Sequence, residues 1–180
     1  MKFSSIHTIV FDFDGVFTDN KVYLDSLGHE FAVCDRSDGL GIAILKKFIE
    51  KGNLDIDYFV LSTESNPIVV ARSKKLGLQC FHNIGDKSEF IRNYFKDKGV
   101  ALEMGLSHLL YLGNDLNDLG VMARARYGLA PADAHPRIKK IAHRVYSQKG
   151  GCGFVRAVIE DVLDLNNLTE EKILELVSNR

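Results

Sequence analysis

The sequence predicts an α/β fold, a doubly wound and mainly parallel sheet with helices on its faces. Short apolar runs alternate with amphipathic stretches along all 180 residues, the pattern of parallel strands joined by crossover helices. Asp12 and Asp14 follow the first apolar run, where such a sheet opens its ligand crevice. The chain length, together with a hydrophobic content of 46%, predicts a single domain over residues 1–180.

The apolar runs predict six strands. They cover residues 7–13, 57–62, 79–82, 108–113, 127–130 and 144–147. Alternate residues of a regular strand point to opposite sides of the sheet. Gly15 follows the first acids and allows the chain to turn, so that both carboxylates can face one site.

Capping residues mark the helices between these strands. A side chain that accepts a hydrogen bond begins each helix, and a glycine is typical of the end. The predicted starts are Ser37 or Asp38, Asn66 with Pro67, Asp86, the segment GFVRAVIEDVL and Thr169, and the predicted ends are Gly52, Gly77 and Gly99.

Residues 21–33 break the alternation. VYL and EFAV flank the turn DSLGH, which predicts a β-hairpin. The hairpin directly follows the acid pair, so we expect it to cover the site as a flap at about residues 21–34. It is too short to be a cap domain.

Composition excludes several classes of function. A net charge of -1 and the lack of a basic run argue against nucleic-acid binding. No apolar stretch reaches the roughly 18 residues of a membrane span, and acids occur too early for a signal peptide. These observations predict a soluble, cytoplasmic protein. Cys34, Cys80 and Cys152 lack metal-site spacing and are predicted to be buried thiols.

Four polar groups follow strand ends in order. They are the acid pair, Ser62, Lys87 and the GNDLND segment at residues 113–118. Taken singly, Ser62 is a loop hydroxyl, Lys87 a surface charge and GNDLND a helix-capping turn. Taken together, they provide a nucleophile, phosphate donors and the oxygen ligands that Mg²⁺ prefers, which phosphoryl transfer requires.

This order of groups resembles the haloacid dehalogenase superfamily over nearly the whole chain. The resemblance implies a Rossmann-like fold without a cap domain and an aspartyl-phosphate intermediate. Asp12 matches the nucleophile, Asp14 the general acid and base, and Ser62 and Lys87 the hydroxyl and lysine of the second and third motifs. The matching magnesium ligands are Asp12, Asp14, Asn114 and Asp115, with Asp118 behind them. Most relatives carry Asp where Asn114 stands, which leaves the strength of metal binding and the activity open.

Longer segments resemble one branch of that superfamily. RSDGLGI, LSTESNPIVVARSKKLGL, DKSEFI, YLGNDLND, APADAHP and QKGGCGFVRAV are similar to capless phosphatases of keto-deoxy sugar acids. They look most like the phosphatase-like domain of N-acylneuraminate cytidylyltransferases. The resemblance implies a substrate such as N-acylneuraminate 9-phosphate or 3-deoxy-D-manno-octulosonate 8-phosphate. It also implies a homotetramer in which the flap and the segment with Gly150, Gly151, Gly153 and Arg156 complete neighbouring sites.

The same resemblance implies substrate contacts by Glu64, Arg72, Lys75 and Arg156. Arg72 and Lys75 are three residues apart and therefore share one helix face. A cationic pair there would suit a sugar-acid carboxylate. A solvated basic face is the equally simple alternative.

Three other functions compete with a phosphatase. A response-regulator receiver needs an aspartate at the end of a later central strand, where Ser62 stands. A dinucleotide-binding domain needs GxGxxG after the first strand, which is lacking. A weakly active or non-catalytic oligomerisation or regulatory module is favoured by Asn114 and opposed by the intact acid pair, Ser62 and Lys87.

Overall fold

A computed structural model describes residues 5–52 and 55–178. The strands in chain order are β1 (Thr8–Phe11), β2 (Tyr23–Leu24), β3 (Glu30–Phe31), β4 (Asp57–Leu61), β5 (Gln79–Phe81), β6 (Leu109–Leu112), β7 (Tyr127–Ala130) and β8 (Arg144–Val145). Six of them form one parallel sheet in the order β5-β4-β1-β6-β7-β8, and β2 pairs with β3 as an antiparallel hairpin. The predicted α/β fold is confirmed, and most of the strands are shorter than predicted.

Helices cover both faces of the sheet. In chain order they are α1 (Arg36–Gly52), α2 (Pro67–Leu76), α3 (Lys87–Asp97), α4 (Leu102–Leu106), α5 (Leu119–Met122), α6 (Pro136–Ile141), α7 (Phe154–Val162) and α8 (Glu170–Val177). Ile9 and Phe11 belong to one core that also contains side chains of α1, α2, α7 and α8, whereas Val10 belongs to a second core with side chains of α3 to α6. This alternation buries β1 on both sides, as a central parallel strand requires.

The chain leaves β1 and β6 toward opposite faces. After β1 it forms the hairpin and α1, and after β6 it forms a 3₁₀ turn (Leu116–Asp118) and α5. The Asp12 N–H donates to the Leu112 carbonyl at 2.9 Å, which joins the two strand ends. Because neighbouring strands that diverge in this way open a crevice at their carboxyl ends, the first and fourth polar groups meet there.

Most predicted helix caps are confirmed. Asn66, Asp86 and Thr169 accept hydrogen bonds from the first turns of α2, α3 and α8. The predicted cap of α1 was wrong, because Asp35 accepts the Ser37 N–H at 2.7 Å and α1 begins at Arg36.

Asp38 instead caps a different helix. Its side chain is buried, and Oδ1 accepts the Arg156 N–H in the first turn of α7 at 2.9 Å. The residue before α7 is Gly153, which has no side chain to make such a bond. Burial raises the pKa of Asp38 to about 6. Ionised Asp38 is therefore a cost to the folded state near neutral pH.

We expect Asp38→Asn to stabilise the fold near pH 7.5 by about 1–3 kcal/mol. The folded chain holds a proton on Asp38 more tightly than the unfolded chain, so wild-type stability falls as the pH rises from about 4 to 6. The amide oxygen keeps the α7 cap. Urea unfolding at pH 4 and pH 7.5 measures the free energy of unfolding of the wild type and of Asp38→Asn. The difference between these two free energies should disappear at pH 4. Asp86→Asn, which keeps the α3 cap and is remote from Asp38, is the control.

Two glycines before α7 support the loop that follows β1. A Cβ on Gly150 would lie 2.0 Å from the Gly15 carbonyl oxygen, and one on Gly151 would lie 2.5 Å from the Asp19 nitrogen. The Gly151 N–H also donates to the Val16 carbonyl at 3.1 Å. The requirement for glycine therefore arises within one chain, without a neighbouring subunit.

The predicted burial of the thiols was wrong in part. Cys34 and Cys80 are half-buried, whereas Cys152 is exposed. All three are free. No helix in the described ranges is long and apolar enough to cross a membrane.

Candidate active site

A cleft of about 460 Å³ lies at the carboxyl ends of β1, β4 and β6. Its walls come from the loops after these three strands and from the hairpin. The lining residues are Asp12, Phe13, Asp14, Asn20, Lys21, Val22, Glu30, Phe31, Ala32, Thr63, Glu64, Asn66, Ile68, Val69, Asn114, Asp115, Leu116 and Asn117. The predicted position of a flap over the acid pair therefore agrees with the geometry.

Asp12 stands directly after β1 and is only 3% exposed. Its Oδ1 accepts the Phe13 N–H at 2.7 Å and lies 2.7 Å from Lys87 Nζ. Two donors thus hold one carboxylate oxygen and fix the side chain. Oδ2 is then the oxygen available for attack on a substrate.

Lys87 is a buried cation between two carboxylates. Its side chain is fully buried at the first position of α3, and Nζ lies 2.7 Å from Asp12 Oδ1 and 2.8 Å from Asp118 Oδ1. The Tyr111 hydroxyl donates to the same Asp118 oxygen at 2.7 Å, a contact that the sequence did not predict. Lys87 is therefore part of the site and not a surface charge.

The buried cluster contains two acids and one cation. Burial raises the pKa of Asp12 and the Asp118 charge adds to this effect, while Lys87 opposes it. For Lys87, burial lowers the pKa, but the two carboxylates outweigh burial and raise it. Lys87 therefore stays charged, and one cation faces two buried acids. A further cation beside Asp12 would balance the site.

The loop after β6 presents amide and carboxylate oxygens. Asp118 Oδ2 accepts the Asn114 and Asp115 N–H groups at 2.8 and 3.3 Å, which folds the loop around it. Asn114 Oδ1 is buried and makes no hydrogen bond with the described residues. The side chain packs so closely on Gly15 that a Cβ there would lie 1.9 Å from Asn114 Nδ2. An unpaired buried oxygen beside two acids suits a metal ligand.

The donor set fits magnesium better than a transition metal. Among residues 5–52 and 55–178, no three His, Cys, Asp or Glu side chains form a metal-binding group. The candidate oxygen donors among the cleft-lining residues include the carboxylates of Asp12, Asp14 and Asp115 and the Asn114 amide. Magnesium commonly takes one or two carboxylates and completes its shell with water and phosphate oxygens.

Asp14 lies on the turn after Asp12 and is half-buried. The Thr18 hydroxyl donates to its Oδ1 at 3.4 Å, and Thr18 Oγ1 accepts the Gly15 N–H at 3.2 Å. Burial raises the pKa of Asp14, and the nearby Glu64 charge raises it further. The carboxyl thus keeps its proton to higher pH, which suits a general acid. Thr18 was not among the predicted residues.

Comparison with known proteins identifies the family. The sequence pattern of haloacid dehalogenase-like hydrolases matches residues 30–157. The chain belongs to the haloacid dehalogenase-like hydrolase family. This finding confirms the resemblance that the four polar groups indicated.

Relatives of similar length lie within this family. The 3-deoxy-D-manno-octulosonate 8-phosphate phosphatase KdsC of Haemophilus influenzae is 31% identical over 90% of this chain and 85% of its own. The enzyme of the same name from Yersinia pestis is 29% identical over 94% of this chain and 84% of its own. A haloacid dehalogenase family hydrolase from Streptomyces avermitilis has a TM-score of 0.80 at 36% identity, over 95% of this chain and 94% of its own. A structure of 3-deoxy-D-manno-octulosonate 8-phosphate phosphatase from Moraxella catarrhalis contains magnesium, phosphate and the sugar. Its TM-score is 0.80 at 27% identity, over 94% of this chain and 92% of its own.

Ser62, which the resemblance assigns to the second motif, lies directly after β4. Ser62 is buried, and its Oγ accepts the Glu64 N–H at 3.0 Å. Thr63 and Glu64 line the cleft beside it. Asn117 donates to the Thr63 hydroxyl at 3.2 Å and closes this side of the cleft. Neither Thr63, which follows Ser62, nor Asn117, which lies between Asp115 and Asp118, was among the predicted site residues.

The predicted basic residues lie outside the cleft of this chain. Arg72 donates to the Asp35 carbonyl at 3.0 Å, and Lys75 is exposed. Arg156 Nε lies 2.5 Å from Glu160 Oε1. The cleft is lined only by the first turn of α2, and the shared helix face comes later. Among the described residues that line the cleft, Lys21 is the only cation.

Proposed function

We propose that this chain is a magnesium-dependent phosphatase of a phosphorylated keto-deoxy sugar acid. It is a phosphoric monoester hydrolase, as its relatives are by name. The observation that carries the proposal is the buried cluster of Asp12, Lys87 and Asp118 beside Asp14, within the cleft of a haloacid dehalogenase fold. Of the two expected substrates, 3-deoxy-D-manno-octulosonate 8-phosphate is favoured, because the relatives are named for it.

The reaction proceeds through a phosphorylated Asp12. Oδ2 of Asp12 attacks phosphorus while Asp14 donates its proton to the leaving sugar hydroxyl. Asp14, now ionised, then accepts a proton from the water that attacks the aspartyl phosphate. The charge of Lys87 and the hydroxyls of Ser62 and Thr63 stabilise the phosphoryl oxygens. Thr18 keeps Asp14 oriented through both steps.

Magnesium is the cofactor, and Asp12, the backbone carbonyl of Asp14, Asn114 and Asp115 would hold it. The unpaired Oδ1 of Asn114 supports this assignment, because a metal ion would satisfy it. When bound, magnesium supplies positive charge against the phosphate oxygens. Asp118 stays behind the ligands, where it holds Lys87 and the loop after β6.

A phosphate-release assay with and without magnesium tests the proposed function. The substrates are 3-deoxy-D-manno-octulosonate 8-phosphate, N-acetylneuraminate 9-phosphate and simple hexose phosphates. We expect turnover that depends on magnesium and prefers one of the two sugar acids. The alternative is a weakly active or non-catalytic oligomerisation or regulatory module associated with an N-acylneuraminate cytidylyltransferase. It predicts little or no labelled aspartyl phosphate and little or no turnover of any substrate.

Lys21 is the proposed partner of the substrate carboxylate. We expect Lys21→Met to lower kcat/KM for the sugar-acid phosphate about tenfold, the effect of one charge-assisted contact. Hydrolysis of 4-nitrophenyl phosphate should hardly change. Arg72→Ala tests the contact that the family resemblance implies for α2. A selective loss in Arg72→Ala together with normal Lys21→Met would assign the carboxylate to α2 instead.

The exposed apolar side chains of the hairpin support a homotetramer. They are Val22, Tyr23, Leu24, Leu27, Phe31 and Val33. A site without a cap domain gains water exclusion if neighbouring subunits cover it.

We expect light scattering to detect four chains in the wild type and fewer in Leu27→Glu, because a charge at the hairpin tip would be buried in the interface. Met104→Glu changes an equally apolar, exposed residue on α4 and should leave the mass unchanged. A monomeric wild type with full activity would contradict the homotetramer.

A further inference from the structure

The hairpin formed by β2 and β3 is secured at its tip and at its base. At the tip, Asp25 Oδ1 accepts the N–H groups of Leu27 and His29 at 2.8 and 2.9 Å. At the base, Thr18 and Cys34 form an antiparallel bridge. Both contacts lie within the hairpin and the adjoining loops. They shape the hairpin but do not determine how far it leans over the cleft.

A third contact crosses from the hairpin to α2. Asn66 Nδ2 donates to Glu30 Oε2 of β3. Asn66 Oδ1 is already used, because it accepts the Ile68 N–H at 3.0 Å and caps α2. The cap thus determines which end of the amide faces the hairpin. A donor on α2 meets an acceptor on β3, and both residues line the cleft.

We infer that the Glu30–Asn66 bond positions the hairpin over the cleft and determines the preference for sugar phosphates over small phosphates. Phe31 and Ala32 follow Glu30 directly and line the cleft. Fixing Glu30 therefore fixes the part of the cleft wall that a sugar would contact. A small aryl phosphate reaches Asp12 without needing that wall. The inference rests on the proposed function, and neither Glu30 nor Asn66 takes part in the chemical step.

The charge of Glu30 strengthens this role. Glu30 and Glu64 are both cleft-lining acids, and Glu64 accepts the Asn66 N–H at 2.9 Å. Without the Asn66 donor, Glu30 is an unpaired anion at the mouth of a cleft that must admit an anionic substrate. Loss of the bond should therefore both release the hairpin and repel a sugar acid.

Variants that exchange the hydrogen-bond donor on Asn66 with the acceptor on Glu30 test the inference. Asn66→Asp keeps an α2 cap but places a carboxylate against Glu30, and Asn66→Ser keeps a cap that is too short to reach Glu30. In the double variant Glu30→Gln with Asn66→Asp, the donor lies on β3 and the total charge is that of the wild type. We expect both Asn66 variants to lose about tenfold in kcat/KM for the sugar-acid phosphate, with little change for 4-nitrophenyl phosphate.

The double variant should recover to within about twofold of the wild type, because the hydrogen bond is restored. Equal losses on both substrates, or a double variant no better than Asn66→Asp, would overturn the inference. Hydrogen exchange of residues 21–34 provides a test that needs no substrate. Exchange should be faster in Asn66→Asp and normal in the double variant. If the wild type hydrolyses no sugar phosphate, the proposed function fails. Independently of that result, unchanged hydrogen exchange of residues 21–34 in Asn66→Asp would refute the positioning role of the Glu30–Asn66 bond.

Discussion

Asp12→Asn is expected to lower turnover by roughly 10⁴-fold or more, as removal of a covalent nucleophile does. An amide cannot form the acyl phosphate, and it also removes the negative charge that a magnesium ion would bind. The fold should survive. The amide oxygen of the variant can still accept from Phe13 and Lys87, and an amide avoids the cost of burying an ionised carboxylate. Phosphate release and thermal unfolding measure the two effects.

Asp86→Asn is the matched control for this prediction. It makes the same chemical change at the α3 cap, where asparagine also caps well, and Asp86 does not line the cleft. Its activity should stay within about twofold of the wild type, as expected for a surface change. A trapped phosphoenzyme in the wild type that is lacking in Asp12→Asn would locate the intermediate. Near-normal rates in Asp12→Asn would refute covalent catalysis by this residue.

Lys87→Met is expected to destabilise the fold by about 3–5 kcal/mol at neutral pH and to abolish activity. Methionine fills much of the same volume, so the loss comes from charge and not from a cavity. Asp12 and Asp118 would then face each other in the interior without a cation. Because loss of the lysine charge would raise the folded-state pKa of Asp12 further, the variant should lose stability as the pH rises and regain part of it as Asp12 is protonated in acid.

Lys98→Met makes the same substitution in an exposed ion pair. Lys98 binds Asp57 with its side chain 44% exposed, so we expect a loss of only about 0–1 kcal/mol. Urea unfolding of both variants at pH 5 and pH 8 compares the two environments. Equal stability losses would contradict the assignment of Lys87 as the buried counter-ion.

The geometry separates two kinds of carboxylate in one cleft. Asp12 is held by two donors through one oxygen, which leaves the other for attack. Asp14 has only the Thr18 hydroxyl at 3.4 Å, and burial and Glu64 raise its pKa. Two acids separated by one residue therefore differ in their partners, since Asp12 meets a backbone N–H and a buried lysine whereas Asp14 meets a hydroxyl.

Features that depend on neighbouring residues could be predicted from the sequence. The alternation of apolar runs predicted the parallel sheet, because strand and helix periodicities differ locally. Asn66 and Asp86 were predicted as caps, because the accepting side chain and the donating N–H groups are two or three residues apart. The hairpin was predicted for the same reason. The four polar groups could be placed at one edge of the sheet, since parallel strands bring their carboxyl ends together.

Contacts between distant parts of the chain depended on the tertiary structure. Nothing near Lys87 in the sequence indicates that it is buried, because its partners are Asp12 and Asp118 on other elements. Asp38 resembled a cap for its own helix, and only the packing of α1 on α7 directs it to Arg156. Arg72 and Lys75 do share a helix face, but the path of α2 takes that face away from the cleft. Helix periodicity determines which side chains lie together, whereas packing determines what that face meets.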